Sequence, residues 1–236
     1  TEGAAPQTAP VAAAPASAPT AEPTTKTPPA QAPTAATPAA APEAAKAAPQ
    51  PMPTFVPPSN DPSKMESGSY TLDKSHARII FSTTHMGLST YFGLMSDFDA
   101  KLTYDAKDQT KSSLLVIVNM NGVDRRNEKM DTHLKSPDFF DVAQYPVATF
   151  KSTKIEVTGN GTGKITGDLT LHGVTKQVTL NAALHGGGPH MMTKLFTLGF
   201  DATAMLRRSD FGIKYGLPMV GDEVMLTISA EFNKAP

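Results

Sequence analysis

Apolar and polar residues alternate along most of the chain after about Gly68. In residues 174–184, for example, Val178 and Leu180 are separated by Thr179, and Leu180 and Ala182 by Asn181. Because successive side chains of an extended chain point to opposite faces, each such run predicts a β-strand with one apolar face. The predicted strands are residues 77–85, 92–104, 114–120, 147–157, 165–171, 174–184, 196–206 and 224–232.

The longest run, residues 92–104, predicts a strand whose apolar side chains share one parity. These side chains are Phe92, Leu94, Phe98, Leu102 and Tyr104. The intervening positions are mostly glycine, acidic or basic, so we expect them to face away from the apolar side.

Two dipeptides join neighbouring runs as turns. Asn160 and Gly161 separate one pair of runs, and His172 and Gly173 separate the next pair. Such residues favour the positive φ angles of tight hairpins, and strands joined this tightly are antiparallel. About eight strands with one apolar face each are best enclosed in a closed barrel, which leaves no open sheet edge. The predicted fold class is therefore an all-β, antiparallel, eight-stranded barrel.

A short helical excursion interrupts the strands. Residues 114–118 are apolar on both faces, so that strand is expected to need cover outside the barrel. The helical stretch that follows, residues 127–135, has Met130 and Leu134 at i, i+4 spacing. A second short helix is expected to begin at Ser136, with Pro137 in its first turn. We expect this excursion to pack against the barrel or to cap one end of it.

The first 67 residues differ in composition from the rest. Most of the 21 prolines lie there, among Ala, Thr and Gln, and the first aromatic residue is Phe55. Such a stretch buries too little apolar surface to offset its ordering entropy, so residues 1–67 are predicted to be a disordered Pro/Ala-rich linker, and residues 68–236 the barrel. The linker is either passive or a spacer that reaches a wall or membrane. The chain begins at Thr1, so we expect a mature form whose signal peptide has been removed; a start chosen for expression is the alternative.

Charge and residue usage exclude several classes of protein. The net charge is −1 and no basic patch stands out, so nucleic acid is not expected as a partner. There are no cysteines, which excludes disulfides, thiolate metal sites and thiol nucleophiles and suits a protein exported in a bacterium. No apolar stretch reaches 18 residues, so no transmembrane segment is predicted. No nucleophile elbow or phosphate-binding glycine loop is present.

An eight-stranded barrel can be filled by its own side chains or can hold one small ligand. Several inward positions are small, and there is no Trp, which favours a cavity. The small positions are Ala77, Thr83, Ala100, Gly167, Ala182, Ala202 and Ala204. The predicted apolar lining, with ordinary core packing as the alternative for each residue, is Ile79, Phe81, Phe98, Leu102, Val116, Phe150, Leu169, Val178, Leu180, Phe200 and Ile228.

Seven sequence blocks resemble the YceI-like family of periplasmic polyisoprenoid-binding proteins. They follow the family's order over the predicted barrel, and the segment TGDLTLHGVTK at 166–176 is the most specific. The others are 70–76 (YTLDKSH), 85–87 (HMG), 131–141 (DTHLKSPDFFD), 145–150 (YPVATF), 208–212 (RSDFG) and 220–224 (VGDEV). The resemblance implies an extended, lipocalin-like barrel whose lumen holds a prenyl quinone, a polyprenyl phosphate or another long-chain amphiphile. It implies no catalytic residues and no cofactor.

The chain departs from the family at two places. Met130 stands where family members often carry Arg, and residues 189–195 lack a Trp-Gly pair that many members have. If the second segment rims the barrel mouth, the preferred headgroup or chain differs here.

Two residues are candidates for binding a lipid headgroup. His85 has the parity of Ile79 and Phe81, so it is predicted to point inward, where it could bond a quinone carbonyl or a phosphate oxygen; a buried histidine bonded to backbone is the alternative. Arg208 offers a guanidinium to an anion, with a surface pair to Asp210 as the alternative.

Other histidines are expected to be structural. His133 is predicted to tie the excursion to the barrel, and His172 to occupy a tight turn. His185 and His190 flank glycines on what reads as a flexible loop, and two imidazoles are too few for a metal site, so no metal is predicted.

The function predicted from the sequence is a periplasmic protein, not an enzyme, that binds and carries an isoprenoid or other long-chain lipid. Two alternatives stay open at this point. One is an enzyme acting on a lipid at the barrel mouth, with His85 and Arg208 or Asp210 as its site. The other is a structural surface module with a solid core. A homodimer is possible.

Overall fold

The computed structural model describes residues 55–236, and the predicted disorder of residues 1–54 lies outside this described part. Its strands are β1 (Gly68–Leu72), β2 (Arg78–His85), β3 (Ser89–Met95), β4 (Phe98–Tyr104), β5 (Ser113–Asn119), β6 (Val123–Asp124), β7 (Val147–Gly159), β8 (Thr162–Leu171), β9 (Val174–Pro189), β10 (Phe196–Arg207) and β11 (Glu223–Lys234). The helix α1 (Glu128–Lys135) lies between β6 and β7.

Eight of these strands close into an antiparallel barrel. Their order around the ring is β1, β4, β5, β7, β8, β9, β10 and β11, and β11 pairs with β1 to complete it. Every pairing is antiparallel, as the hairpin turns predict. The turn at His172 and Gly173 has φ angles of 52° and 74°, which are the left-handed values a two-residue hairpin needs. The predicted eight-stranded barrel is therefore confirmed.

Strand β11 is shared between two neighbours along its length. Its C-terminal end, from Phe232 to Lys234, pairs with β1, whereas Met225 to Ser229 pair with β2. Strands β3 and β6 continue the sheet from β2. The wall beside β11 is thus built by β1 at one end and by the β2–β3 hairpin at the other.

The alternation in residues 92–104 predicts one strand with one inward parity, and this is wrong in its first half. The run breaks at Ser96 and Asp97 into β3 and β4. Phe98 and Leu102 are buried in β4 as expected, but Phe92 in β3 is 58% exposed. The break shifts the parity by one, because β3 lies in a separate hairpin with β2 and turns its odd-numbered residues inward.

The segment that reads as a flexible loop, residues 185–190, is mostly strand. Strand β9 continues past Leu184 to Pro189 and pairs with β10 through Gly186, Gly187 and Gly188. The register shifts by one residue between Gly199 and Phe200, which makes His185 the extra residue of a β-bulge in β9. The His185 ring contacts Asp201 across the strands, with 3.1 Å between Nδ1 and Oδ2.

The helical excursion caps one end of the barrel. Asn127 caps α1 with its side chain, which accepts a hydrogen bond from the Met130 N–H, so the helix predicted for residues 127–135 is confirmed. The second predicted helix is wrong: residues 136–140 form hydrogen-bonded turns, and Ser136 is the C-cap of α1. No helix within residues 55–236 is long and apolar enough to cross a bilayer.

The outer face of β5 is not covered. Leu115 and Ile117 are 37% and 45% exposed, so the cover predicted for this strand is absent among the described residues. Lys101 and Lys151 flank Leu115 on the neighbouring strands, and Asp99 and Thr149 flank Ile117. Because polar residues flank them on both neighbouring strands, Leu115 and Ile117 are exposed to solvent without forming an extended apolar patch.

Ser59 to Met65 pack against the barrel, although the composition places these residues in the predicted linker. Ser59 pairs with Gly187 of β9 through two backbone hydrogen bonds of 2.8 and 2.9 Å. A 3-10 helix follows at Pro62–Lys64, and Met65 is only 5% exposed in the main hydrophobic cluster. Here we call residues 58–65 the N-terminal strap.

Candidate functional site

The lumen of the barrel contains three consecutive cavities. The mouth chamber, at the α1 end, has a volume of about 300 Å³, and the hairpin chamber, beside the β7–β8 hairpin and the strap, has about 370 Å³. A waist of about 100 Å³ lies between them. The waist shares Val116 and Leu180 with the mouth chamber and Ala182 and Leu102 with the hairpin chamber. The lumen is therefore a chain of cavities rather than a solid core.

The eleven predicted apolar lining residues all lie on this lumen, and His85 lies there too. The mouth chamber is lined by Ile79, Phe81, His85, Val116, Phe150, Leu169, Val178, Leu180 and Ile228. Phe98, Leu102 and Phe200 line the waist. Their contact with a ligand stays a prediction. Three of the small inward positions, Ala100, Ala182 and Ala202, also line the waist and keep it open.

Two glycines let aromatic rings lie against the barrel wall. A Cβ placed on Gly93 would collide with the ring of Phe81 on the neighbouring strand β2. A Cβ on Gly167 would collide with the ring of Phe150 and with the Lys151 carbonyl oxygen. Because glycine leaves this space free, each ring covers a backbone position instead of standing across the lumen.

Aromatic side chains from the excursion and from the loop at residues 212–222 line the outer part of the mouth chamber. The Phe140 ring meets the Phe81 ring edge-to-face at 6.4 Å between centroids. His133 contacts both Phe139 and Tyr215, with centroids 5.0 and 5.1 Å away, and its Nε2 lies 2.9 Å from Asp138 Oδ2. His133 thus ties α1 to the turns after it and to the loop at residues 212–222, which agrees with the structural role predicted for it.

Arg208 lines the mouth chamber, but its guanidinium is held by the chain itself. Nε donates to the Gly221 carbonyl oxygen, Nη2 to that of Val220, and Nη1 to those of Ile213 and Tyr215, at 2.8 to 3.2 Å. The residue is 7% exposed, and burial lowers its pKa. The predicted surface pair with Asp210 is not formed, because Arg208 points inward while Asp210 is exposed. Four backbone bonds favour a structural role over the predicted headgroup contact.

A stack of three side chains lies at the edge of the mouth chamber. His85 lies over Tyr91 with 5.3 Å between ring centroids and 23° between planes. The Arg125 guanidinium carbon lies 3.0 Å from the centre of the Tyr91 ring. All three side chains line the chamber. His85 therefore points inward, as its parity predicts.

Arg125 and Tyr91 are absent from the predicted site. Arg125 lies in a run of charged residues that is typical of a solvated turn, and its neighbour Arg126 is indeed 88% exposed at its side chain. Tyr91 has the parity that the alternation assigns to the outside. Its inward position follows only from the break between β3 and β4.

The Arg125 guanidinium lacks hydrogen-bond acceptors within the described residues. Its Nε and Nη1 are buried and make no hydrogen bond within residues 55–236. Its backbone N–H donates to Asp131 Oδ1 at 2.8 Å, which fixes the start of the excursion. Burial lowers the pKa of Arg125, although an arginine stays charged at neutral pH.

The remaining histidines lie outside the lumen. His172 bonds the Phe211 carbonyl oxygen at 3.0 Å and contacts Tyr145, as expected of a turn residue. Ligand atoms of Asp73, His76 and Glu231 lie within 4.8 Å of one another on the surface. Of the two departures from the family pattern, Met130 lines the mouth chamber, whereas the segment 189–195 ends β9 and forms the turn to β10.

The fold and its lumen define a closed β-barrel whose interior is mainly apolar. The YceI-like domain family matches residues 70–232, and the chain belongs to this family. Protein YceI of Escherichia coli O157:H7 is 40% identical over 167 residues, which cover 70% of this chain and 86% of that protein. The resemblance inferred from the sequence blocks is thereby confirmed.

Two solved structures have the same fold. The YCEI protein of Campylobacter jejuni matches with a TM-score of 0.60 and 30% identity, over 65% of this chain and 90% of that one. A polyisoprenoid binding domain from Saccharophagus degradans matches with a TM-score of 0.53 and 12% identity, over 72% and 100%. The second likeness concerns the fold alone.

Proposed function

We propose that this protein binds a long apolar lipid, a polyisoprenoid or a similar amphiphile, within the barrel lumen. The observation that carries the proposal is the run of three cavities, of which the mouth chamber and the waist are lined mainly by aliphatic and aromatic side chains. The hairpin chamber adds polar residues, among them Asp61, Glu156 and Asn160, at the other end. Transfer of a hydrocarbon chain from water into such a lining is favourable by about 0.8 kcal/mol per CH₂. The S. degradans domain, which binds polyisoprenoid, supports this choice of ligand class.

Extraction of the purified full-length protein with organic solvent, followed by mass spectrometry, tests this proposal. We expect a prenyl or acyl chain in roughly stoichiometric amount. An Ala202→Phe variant, which fills the waist, should lose most of it, whereas Thr203→Phe on the outer face of β10 should retain it. A wild-type protein free of lipid, or equal retention by both variants, would contradict the proposal.

We infer that the protein binds its lipid without transforming it. The enzyme alternative requires His85 to act with Arg208 or Asp210. Backbone carbonyls occupy Arg208, and Asp210 is exposed and does not line the mouth chamber. Prolonged incubation with a prenyl phosphate should therefore return the lipid unchanged, and any hydrolysed or rearranged product would contradict this inference.

We further propose that the protein carries its lipid in the periplasm. A closed lumen keeps a hydrocarbon chain out of water, which is what transit between two membranes requires, and the absence of cysteine suits an exported protein. Transfer of a fluorescent prenyl lipid between two vesicle populations, accelerated by the protein, would support carrying. Cell fractionation that leaves the protein in the cytosol would contradict the location.

A further inference from the structure

We propose that Arg125 and Tyr91 form a recognition site for an anionic lipid headgroup, a phosphate or a carboxylate, at the mouth chamber. This proposal rests on the proposed function, because an amphiphile with its chain in the lumen must place its polar end at an opening. The site uses the guanidinium as the hydrogen-bond donor and the aromatic ring as the platform that holds it.

The buried Arg125 guanidinium is not fully hydrogen-bonded. Two buried guanidinium nitrogens, Nε and Nη1, have no acceptor within residues 55–236. A buried donor without a partner is costly, and a buried charge is more costly still. Contact with the Tyr91 ring offsets part of this cost but supplies no hydrogen-bond acceptor along the N–H directions. An oxygen atom of a ligand headgroup would supply the missing hydrogen-bond acceptor.

Arg208 shows how the same chain satisfies a guanidinium when its role is structural. Its three nitrogens donate to four backbone carbonyl oxygens around one loop. Both arginines line the same chamber. The contrast between a satisfied and an unsatisfied guanidinium points to Arg125 as the one kept for a ligand.

The charge of the chamber selects the headgroup. Its lining within residues 55–236 includes Arg125, Arg208, His85 and His133 but no Asp, Glu or Lys. Asp131 attracts the Arg125 guanidinium at a distance, but its Oδ1 accepts the Arg125 backbone N–H, and no carboxylate of the described chain lies within 4.0 Å of the guanidinium. A guanidinium that lacks a direct ion pair in an apolar chamber attracts an anion more strongly than a neutral carbonyl or hydroxyl.

The side chains of the proposed headgroup site are already ordered without a ligand. Tyr91 is held between His85 and Arg125, so the ring and the guanidinium lie in a fixed stack. The Arg125 backbone is fixed by its bond to Asp131. A side chain already ordered loses little conformational entropy when a headgroup binds, which favours affinity.

The test compares two probes with the same C20 chain, geranylgeranyl phosphate and geranylgeraniol, on lipid-stripped full-length protein. Because charge-assisted hydrogen bonds are strong, we expect the wild type to bind the phosphate about tenfold tighter or more. In Arg125→Met the preference for the phosphate should fall to within about twofold, because the loss of affinity falls on the phosphate rather than on the alcohol. Arg126→Met, which changes an exposed neighbour, should keep the wild-type preference.

Further measurements keep the proposal falsifiable. Arg125→Lys retains the charge but not the planar donors, so its preference should lie between those of the wild type and Arg125→Met. This variant serves if Arg125→Met does not fold. Equal binding of both probes by the wild type would overturn the headgroup site but leave lipid binding intact. Binding of neither probe would overturn the proposed function itself.

A free anion is distinguished from a lipid headgroup in the same way. Calorimetry with inorganic phosphate alone should show binding far weaker than that of geranylgeranyl phosphate, because the lumen contributes only to the lipid. Equal affinities for the two would overturn the assignment to a lipid and leave a simple anion site.

Discussion

The charge state of His76 depends on its two acidic neighbours on the barrel surface, Asp73 and Glu231. Hydrogen bonding to Asp73 raises the pKa of His76, and the nearby Glu231 charge adds to the effect. We therefore expect His76 to titrate above 6.5 in NMR spectra. Asp73→Asn should lower this pKa more than Glu231→Gln does. An unchanged His76 pKa in Asp73→Asn would show that the pair does not form in solution.

The sign of the pH effect on stability follows from these shifts. Because the pKa of His76 is raised on folding, its contribution is complete below its ordinary value and is lost as the pH rises through the raised one. The pKa of Asp73 is lowered, chiefly by the Ser75 hydroxyl, so its contribution is present above its ordinary value and is lost in acid. The pair is therefore best formed between these two limits, in mildly acidic solution.

Arg208 predicts a larger effect on stability. Its guanidinium is the common donor to carbonyl oxygens on both sides of the loop at residues 212–222. Arg208→Met should lower the free energy of unfolding by about 2 to 4 kcal/mol, because several buried carbonyls lose their donor. Denaturant unfolding measures this loss. Arg207→Met, at the exposed neighbouring position, should stay within about 0.5 kcal/mol of the wild type.

Neighbouring residues of one type can have opposite surroundings that no pattern reveals. Arg125 and Arg126 follow each other before α1, yet one lines the mouth chamber and the other is exposed. Only the direction in which the chain enters the excursion distinguishes them. Apolar lining residues can be predicted from the sequence because burial in a strand repeats at every second position. A single polar residue at the end of a cavity belongs to no such repeat.

At the scale of elements, alternation predicts strands well and their breaks poorly. Strands β8 and β11 follow the pattern closely, because each is a long strand with one solvent face. Residues 92–104 look equally regular, but Ser96 and Asp97 leave the sheet to bond Gly122 and Asn119. A turn of two residues preserves the apparent alternation in the sequence. The chain nevertheless changes direction and position in the sheet, so inward residues are odd-numbered before the turn and even-numbered after it.

The glycine beside Phe81 sets the width of the mouth chamber. Gly93→Ala places a Cβ against the Phe81 ring, so the ring must move into the lumen or the strands must separate. We expect a loss of about 1 to 3 kcal/mol in unfolding free energy, the usual cost of overpacking. Calorimetric or denaturant unfolding provides the measurement.

A glycine in a roomier strand position provides the control. A Cβ at Gly188 would meet only the Pro58 Cα, at 3.8 Å, which is ordinary contact. Gly188→Ala should therefore be nearly neutral. If both substitutions change the unfolding free energy equally, contact with the Phe81 ring is not the reason that Gly93 must be glycine.

At the scale of the whole molecule, closure of the barrel is predictable and the content of the lumen is not. Eight amphipathic strands and tight turns leave few alternatives to a closed antiparallel barrel. The waist is open because Ala100, Ala182 and Ala202 meet at one level, which is a matter of register between strands distant in sequence. Ala182 and Ala202 pair directly across β9 and β10, whereas Ala100 comes from β4, so no local pattern brings the three alanines together.

The N-terminal strap explains two of the three glycines that occur in a row within β9. A Cβ on Gly187 would collide with the Met65 sulfur, and one on Gly186 would lie 3.2 Å from Pro58. The glycines thus allow the strap backbone to approach the sheet closely. Composition misses this because the strap is rich in proline, like the residues before it.

The strap should consequently be part of the stable fold, and its removal tests where the folded unit begins. Met65 is 5% exposed, whereas Met192 is 74% exposed, so Met65→Ala should cost about 2 to 5 kcal/mol and Met192→Ala almost nothing. A chain that starts at residue 68 should be destabilised relative to one that starts at residue 55 by at least as much as Met65→Ala, because it also loses the Ser59–Gly187 bonds. Equal melting temperatures for the two truncations would mean that the strap does not pack in solution and that the folded unit begins at β1.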